Sequence, residues 1–355
     1  MKIGTLTFHR ACNYGGALQC FALVKALRSM GYDAEVVDYR NPAIEKTYQI
    51  ISTNSIKGFL SSLLLWRHSL QKRRNFRTFS KQFIPMSKHV YKTAEELCNQ
   101  YDLCFIGSDQ VWSKRINHGF DPVYWGRFKG RKGTYAASMG TDHDFTQKEY
   151  DDIKSYLTNF DYLSTREESL RDEIASLTDK SIKIVVDPTL LLSIKDYEEI
   201  SIKPKEENYV LYYQMQYNSQ SKDFVTNIAK QLNCKVITLM GPNEKYEGVE
   251  HIHKTVPQVN VQEFVGYILH AKCVIASSFH GTALPLAMRK DFYFLANSRI
   301  DRSANLLRHL GALDRMKDSS EVVAFEPVNY KRIESKLEDF VNESLTFIDK
   351  CLNER

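Results

Sequence analysis

Val274-Ile275-Ala276-Ser277-Ser278-Phe279-His280-Gly281-Thr282-Ala283-Leu284-Pro285-Leu286-Ala287-Met288 is the stretch that decides how the chain is read. With Cys273 before it, the apolar run Cys273-Val274-Ile275-Ala276 has the character of a buried strand. Two serines, a histidine and a glycine follow, and an apolar helical segment is expected to open at about Thr282. A strand–turn–helix junction of this kind is where open α/β sheets bind ligands, beyond the carboxyl ends of their strands. The free N–H groups of a helix N-terminus suit an anion, and a histidine there can move a proton near neutral pH. The bland reading of His280 is a solvated loop histidine, so the rest of the chain must decide.

Outward from this junction, the flanking sequence repeats the pattern. Tyr209–Tyr213, Lys235–Leu239 and Asp291–Leu295 read as strands, and Lys222–Leu232 and Val261–His270 as helices. A loop with Arg299, Arg302 and Arg308 follows the strand at 291–295, and a long amphipathic helix is expected over 331–352. Upstream, a first strand over residues 2–8 leads through Asn13-Tyr14-Gly15-Gly16 into a helix from Ala17 to Met30 and a second strand over 34–39. This is a βαβ unit with a glycine turn, but it lacks the G-x-G-x-x-G pattern, so no dinucleotide is expected. The turn can cradle an anion on its N–H groups or simply connect strand to helix.

Three further strands end in small or charged residues. Asp102–Ile106 runs into Gly107-Ser108-Asp109-Gln110 with Trp112 as a flat apolar wall, Tyr135-Ala136-Ala137 into Ser138, and Tyr162–Thr165 into Arg166 at a helix start. One such exit is unremarkable; three in succession place Asp109, Ser138 and Arg166 along one edge of one sheet. Asp187-Pro188 ends a strand and marks a domain boundary. The expectation is an α/β protein of two Rossmann-like domains facing across a cleft. The first spans 1–180 with a basic amphipathic insertion at about 45–95, and the second 181–330. A C-terminal helix at 331–355 packs back on the first. Ligand would lie in the cleft.

A chain of 355 residues suits two domains. Its seven cysteines are scattered with no metal spacing, which fits reduced thiols of a cytoplasmic protein. The N-terminus does not read as a signal peptide, and no apolar run reaches the roughly 18 residues of a membrane span. The net charge of +5 is local. Ten of the 48 lysines and arginines, and none of the 43 acidic residues, fall between Glu45 and Glu95. Apolar, aromatic and basic residues on a helical hairpin there suit peripheral contact with an anionic membrane. They equally suit a helix whose apolar face packs on the domain while its charges are solvated. No motif for nucleic acid accompanies them.

The ordered motifs resemble those of the bacterial polysaccharide pyruvyl transferases. They are Asn13-Tyr14-Gly15-Gly16-Ala17-Leu18-Gln19, Gly107-Ser108-Asp109-Gln110-Val111-Trp112, Tyr135–Gly140, Ser164-Thr165-Arg166-Glu167, Asp187–Leu191 and Ser277-Ser278-Phe279-His280-Gly281. The resemblance implies a GT-B-like pair of domains. It also implies transfer of pyruvate from phosphoenolpyruvate, with no cofactor or metal, onto a sugar or lipid-linked oligosaccharide as a cyclic ketal. By position it makes His280 the general acid/base and Asp109 a partner base or hydroxyl-orienting group. Arg166 falls to the donor's phosphate or carboxylate. Asn13, Gly15, Gly16, Ser108, Ser138 and Ser278 line the site. Some members carry an arginine where Ser278 stands here, so Arg299 or Arg302 is expected to supply the second cation. A GT-B glycosyltransferase using a nucleotide sugar, or a scaffold of polysaccharide assembly at the inner face of the membrane, are the alternatives.

Overall fold

The computed structural model describes residues 1–41, 44–45, 56–140, 144–215, 220–240, 254–256, 259–296 and 301–354, with backbone only at 56–66, 68 and 301. The chain divides into two compact units. One holds Met1–Cys12, Gly16–Pro188 and Glu343–Arg355; the other holds Asn13–Gly15 and Thr189–Asn342. The boundary thus lies at Pro188 and not at 180, because the stretch through Asp187 belongs to the first unit's polar cluster described below.

In the first unit the elements run β1 (Lys2–Leu6), α1 (Tyr14–Ser29), β2 (Asp33–Tyr39), α2 (Ile56–Phe83), β3 (Met86–Tyr91), β4 (Leu103–Ile106), α3 (Lys114–Asn117), β5 (Lys132–Thr134), α4 (Gln147–Leu157), β6 (Leu163–Thr165), α5 (Glu168–Ala175) and β7 (Ile182–Ile184). The main sheet has the order β3-β2-β1-β4-β5, with every neighbouring pair parallel. β6 and β7 form a parallel pair, and single bridges Gly133↔Tyr162 and Ala137↔Thr165 carry the sheet's line onto β6. β1 and β4 are buried almost throughout, the mark of parallel strands covered on both faces. Trp112 is no exposed wall: it is buried and stacked on Trp125, with centroids 4.3 Å apart.

The basic window is not an insertion, nor does its described part form a hairpin. Among the described residues the crossover between β2 and β3 is carried mainly by one helix, α2, and β3 is an edge strand of the sheet. Residues 46–55 lie outside the described ones. Phe76 and Phe79 are buried, and Phe79 and Phe83 meet Phe21 of α1 edge-on at 6.0 and 6.4 Å.

The second unit continues with α6 (Ile194–Ile200), β8 (Tyr209–Gln214), α7 (Ser221–Gln231), β9 (Lys235–Met240), β10 (Lys254–Val256), α8 (Val261–His270), β11 (Cys273–Ala276), α9 (Phe279–Ala287), β12 (Phe292–Leu295), α10 (Asp301–His309), β13 (Met316–Lys317) and α11 (Tyr330–Asn353). Its sheet is ordered β10-β9-β8-β11-β12-β13 and is parallel throughout. Counted from its own first strand, this is 3-2-1-4-5-6, the doubly wound Rossmann order; the first unit shows 3-2-1-4-5. A core of Val210, Tyr212, Ile275 and Tyr293 is covered by Phe224, Val225 and Ile228 of α7. The last part of α11, from Glu343, counts with the first unit, where Ser344 Oγ accepts from the Val186 amide at 2.9 Å.

In a sheet of this order, the two strands at the reversal of direction are where a ligand crevice opens. These are β1 and β4 in the first unit, and β8 and β11 in the second. Asp109 follows β4 and His280 follows β11, so each lies at the switch point of its own sheet.

Candidate functional site

At the first unit's switch point, Gly107 leaves β4 with φ +114, and a Cβ there would stand 2.4 Å from the carbonyl oxygen of Tyr135. Only glycine lets the two strand exits approach so closely. The next two residues carry expected roles. Ser108 is fully buried and Asp109 nearly so. Asp109 has φ +72, a left-handed conformation that aspartate tolerates when its side chain bonds locally. Here Asp109 Oδ1 accepts from the Gln110 amide at 2.9 Å. Bridges Asp109↔Ala137 and Ala137↔Thr165 set the exits of β4, β5 and β6 side by side. The alignment of three strand exits on one edge is therefore found, although β6 pairs formally with β7.

Arg166 is the centre of this group, and it is not solvent-facing. Its side chain is 2% exposed. Nε donates to Glu167 Oε1 at 3.2 Å and Nη1 to Asp187 Oδ2 at 2.8 Å. Each carboxylate also holds a serine: Ser138 Oγ donates to Glu167 Oε1 at 2.7 Å, and Ser108 Oγ to Asp187 Oδ2 at 3.2 Å. Burial works against the Arg166 charge. The carboxylates of Glu167, Asp187 and Asp109 outweigh it, and its pKa lies above the ordinary arginine range. Ser108, Ser138 and Arg166 are thus joined in one buried network, with Asp109 at its edge. Glu167 and Asp187 are its members that stood in the quoted motifs without an expected site role. Among the described residues no hydrogen-bond donor reaches the buried Glu167 Oε2. Gly16 lies in the same unit, where its carbonyl accepts from Gln19 Nε2 at 3.1 Å. Gln19 Nε2 also donates to Thr7 Oγ1, which donates to the Ser108 carbonyl at 2.7 Å.

The second unit holds the other group. His280 is not on a loop tip: α9 begins at Phe279, three residues earlier than expected, so the imidazole sits in the first turn. Ser278 is the N-cap, with extended backbone, and its Oγ accepts from the Gly281 amide at 3.1 Å. Its hydroxyl therefore serves the helix start as an acceptor. The His280 ring lies over Gly15: a Cβ on Gly15 would stand 2.1 Å from His280 Nδ1. This close approach accounts for the glycine. α1 begins at Tyr14, and Tyr14 is fixed beside it. Its ring stacks on Phe264 at 4.2 Å, and its hydroxyl donates to the Val259 carbonyl at 2.8 Å. Burial and the Glu263 charge push the Tyr14 pKa up, so it remains a neutral donor. Asn13 is half-buried next to it. The Arg302 guanidinium lies 5.9 Å from the ring centroid of Phe279, the neighbour of His280. Arg299 lies outside the described residues. Of the two cations expected to stand in for the arginine absent at Ser278, Arg302 is the described one, and it neighbours Phe279.

Several solved structures are similar over the length of the chain. UDP-GlcNAc 2-epimerase from Neisseria meningitidis, bound to UDP-GlcNAc, is 11% identical with a TM-score of 0.49, covering 100% of both chains. UDP-GlcNAc 2-epimerase from Methanocaldococcus jannaschii is 11% identical at 0.46, over 96% of this chain and 93% of that one. The glycosyltransferase SnogD from Streptomyces nogalater is 10% identical at 0.40, over 99% and 96%. No curated protein shows a significant match. The sequence model of one family, described as polysaccharide pyruvyl transferase, matches residues 13–299, from the Asn13 turn through α9 to Arg299. By that match, the chain belongs to the polysaccharide pyruvyl transferase family.

Proposed function

We propose that the protein transfers pyruvate from phosphoenolpyruvate to a sugar of a cell-surface polysaccharide precursor and closes a pyruvate ketal. The reading expects a cytoplasmic enzyme and an acceptor that is free or lipid-linked. One observation carries it: a histidine in the first turn of α9, at the second sheet's switch point, with a guanidinium beside its neighbour. Helix N–H groups and a cation suit a compact polyanion, and the imidazole suits proton transfer.

In this reading, the donor's terminal CH2 carbon takes a proton as one sugar hydroxyl oxygen bonds to the donor's central carbon. The carbon–oxygen bond to phosphate then breaks, and a second hydroxyl closes the ketal. Of the two hydroxyl protons, one balances the new methyl group and the other leaves with phosphate. His280 is the proposed carrier of these protons. Asp109 is the proposed partner for a sugar hydroxyl. Arg166, held by Glu167 and Asp187, is a cation fixed before ligand arrives, and we assign it to the donor.

The test is phosphate release and acceptor mass gain when the protein, phosphoenolpyruvate and a panel of glycans are combined. His280→Asn should lower turnover by at least about a hundredfold, in the range of general acid–base contributions. Turnover with a nucleotide sugar and none with phosphoenolpyruvate would overturn the reading.

A further inference from the structure

From α2 we infer that the first unit carries a docking surface for anionic lipid headgroups, an inference that needs only the surface charge and not the transfer reaction. On α2, Arg67, Leu70, Arg74, Arg77 and Lys81 are all exposed. Their spacings of three and four residues put them on one face of the helix, a line about 21 Å long at 1.5 Å per residue. Phe76 and Phe79, on the opposite side, are buried and pack toward α1. Lys72 also turns inward, and burial lowers its pKa. The exposed line is therefore a sorted face: basic side chains outward, aromatic ones inward.

No acidic residue occurs between Glu45 and Glu95, so the helix itself carries no carboxylate. An extended row of cations complements a flat array of negative charges. Leu70, 39% exposed and between Arg67 and Arg74 in the row, favours a lipid surface over a nucleic acid, since an interfacial helix sinks apolar side chains among its cations. No described helix is long and apolar enough to cross a membrane, so the contact would be peripheral.

The test is co-sedimentation of the full chain with vesicles rich in phosphatidylserine, and with purely zwitterionic vesicles, at about 0.1 M salt, where charges screen over about 10 Å. Binding is expected to the first only. It should fall at least about tenfold in Arg74→Glu/Arg77→Glu, and clearly in Leu70→Ser. It should persist in Lys222→Glu/Lys230→Glu, which changes the net charge equally through exposed lysines of the second unit. Each variant's thermal unfolding and phosphate release report separately on folding and on the transfer reading. Equal binding by Arg74→Glu/Arg77→Glu, no binding by the wild-type chain, or capture of single-stranded RNA with indifference to vesicles would each overturn the inference.

Discussion

His280 and Gly15 are defined by each other. The imidazole occupies the place of a Gly15 side chain, so Gly15→Ala must move the ring, the α1 start, or both. Proton transfer needs a placement good to a fraction of an ångström. Gly15→Ala is therefore expected to lower kcat/KM for pyruvyl transfer by at least about a hundredfold, with a small change in unfolding midpoint. Comparable activity in the variant would show that the ring's position is not used. Arg166 makes a second case. Asp187→Ala would leave a buried guanidinium with one of its two carboxylates gone, and breaking such a pair costs about 3–5 kcal/mol. Urea unfolding should show that loss, and a smaller one for Asp187→Asn, which keeps an acceptor for Ser108 and Arg166. A loss under about 1 kcal/mol would mean that Glu167 alone suffices. The sequence exposed Arg166 because it stands at a strand end. It hid the partnership with Asp187, 21 positions away, because an aspartate before a proline already has a local explanation as a turn.

At the scale of elements, the buried strands and the amphipathic helices were legible. β11 and α8 have the expected bounds, because a short apolar run or a 3.6-residue period is a local signal. The starts of α1 and α9 were not. Gly15-Gly16 and His280-Gly281 look like turns, since glycine disfavours helix by about 1 kcal/mol relative to alanine, yet both lie inside first turns. A tertiary contact decides for α1, the Tyr14 ring stacked on Phe264; a local one decides for α9, the Ser278 cap. β3 was missed because its exposed Lys88 and His89 hide an edge strand inside a basic window. If Ser278 acts as a cap, Ser278→Ala should cost about 1 kcal/mol of stability, while Ser278→Asp or Ser278→Asn should restore it. An activity loss in Ser278→Ala that no capping residue rescues would return Ser278 to a ligand role.

Across the whole molecule, the same strand order built twice places one candidate group at the switch point of each sheet. The two α/β halves were readable from alternating strands and helices, but the strand order was not, because β3, β10 and β13 were not read as strands. The membership of Asn13–Gly15 in the second unit was not, because it depends on contacts with Phe264 and His280, some 250 residues away. Two units with separate cores allow a ligand's effect to be resolved along the chain. A ligand at 100 times its dissociation constant stabilises the state that binds it by about 2.7 kcal/mol, and amides that open only with that state should slow in exchange accordingly. With phosphoenolpyruvate, slowing is expected in the first turn of α9 around His280 and in the strand exits around Asp109, Ser138 and Arg166. None is expected along the exposed face of α2 between Arg67 and Lys81. Arg166→Ala should abolish the effect if that cation holds the donor. Slowing confined to α9 and kept in Arg166→Ala would instead place the whole donor contact in the second unit and leave the carboxylate-held arginine to the acceptor. Slowing in neither place, with phosphoenolpyruvate in excess, would remove the donor assignment from both groups.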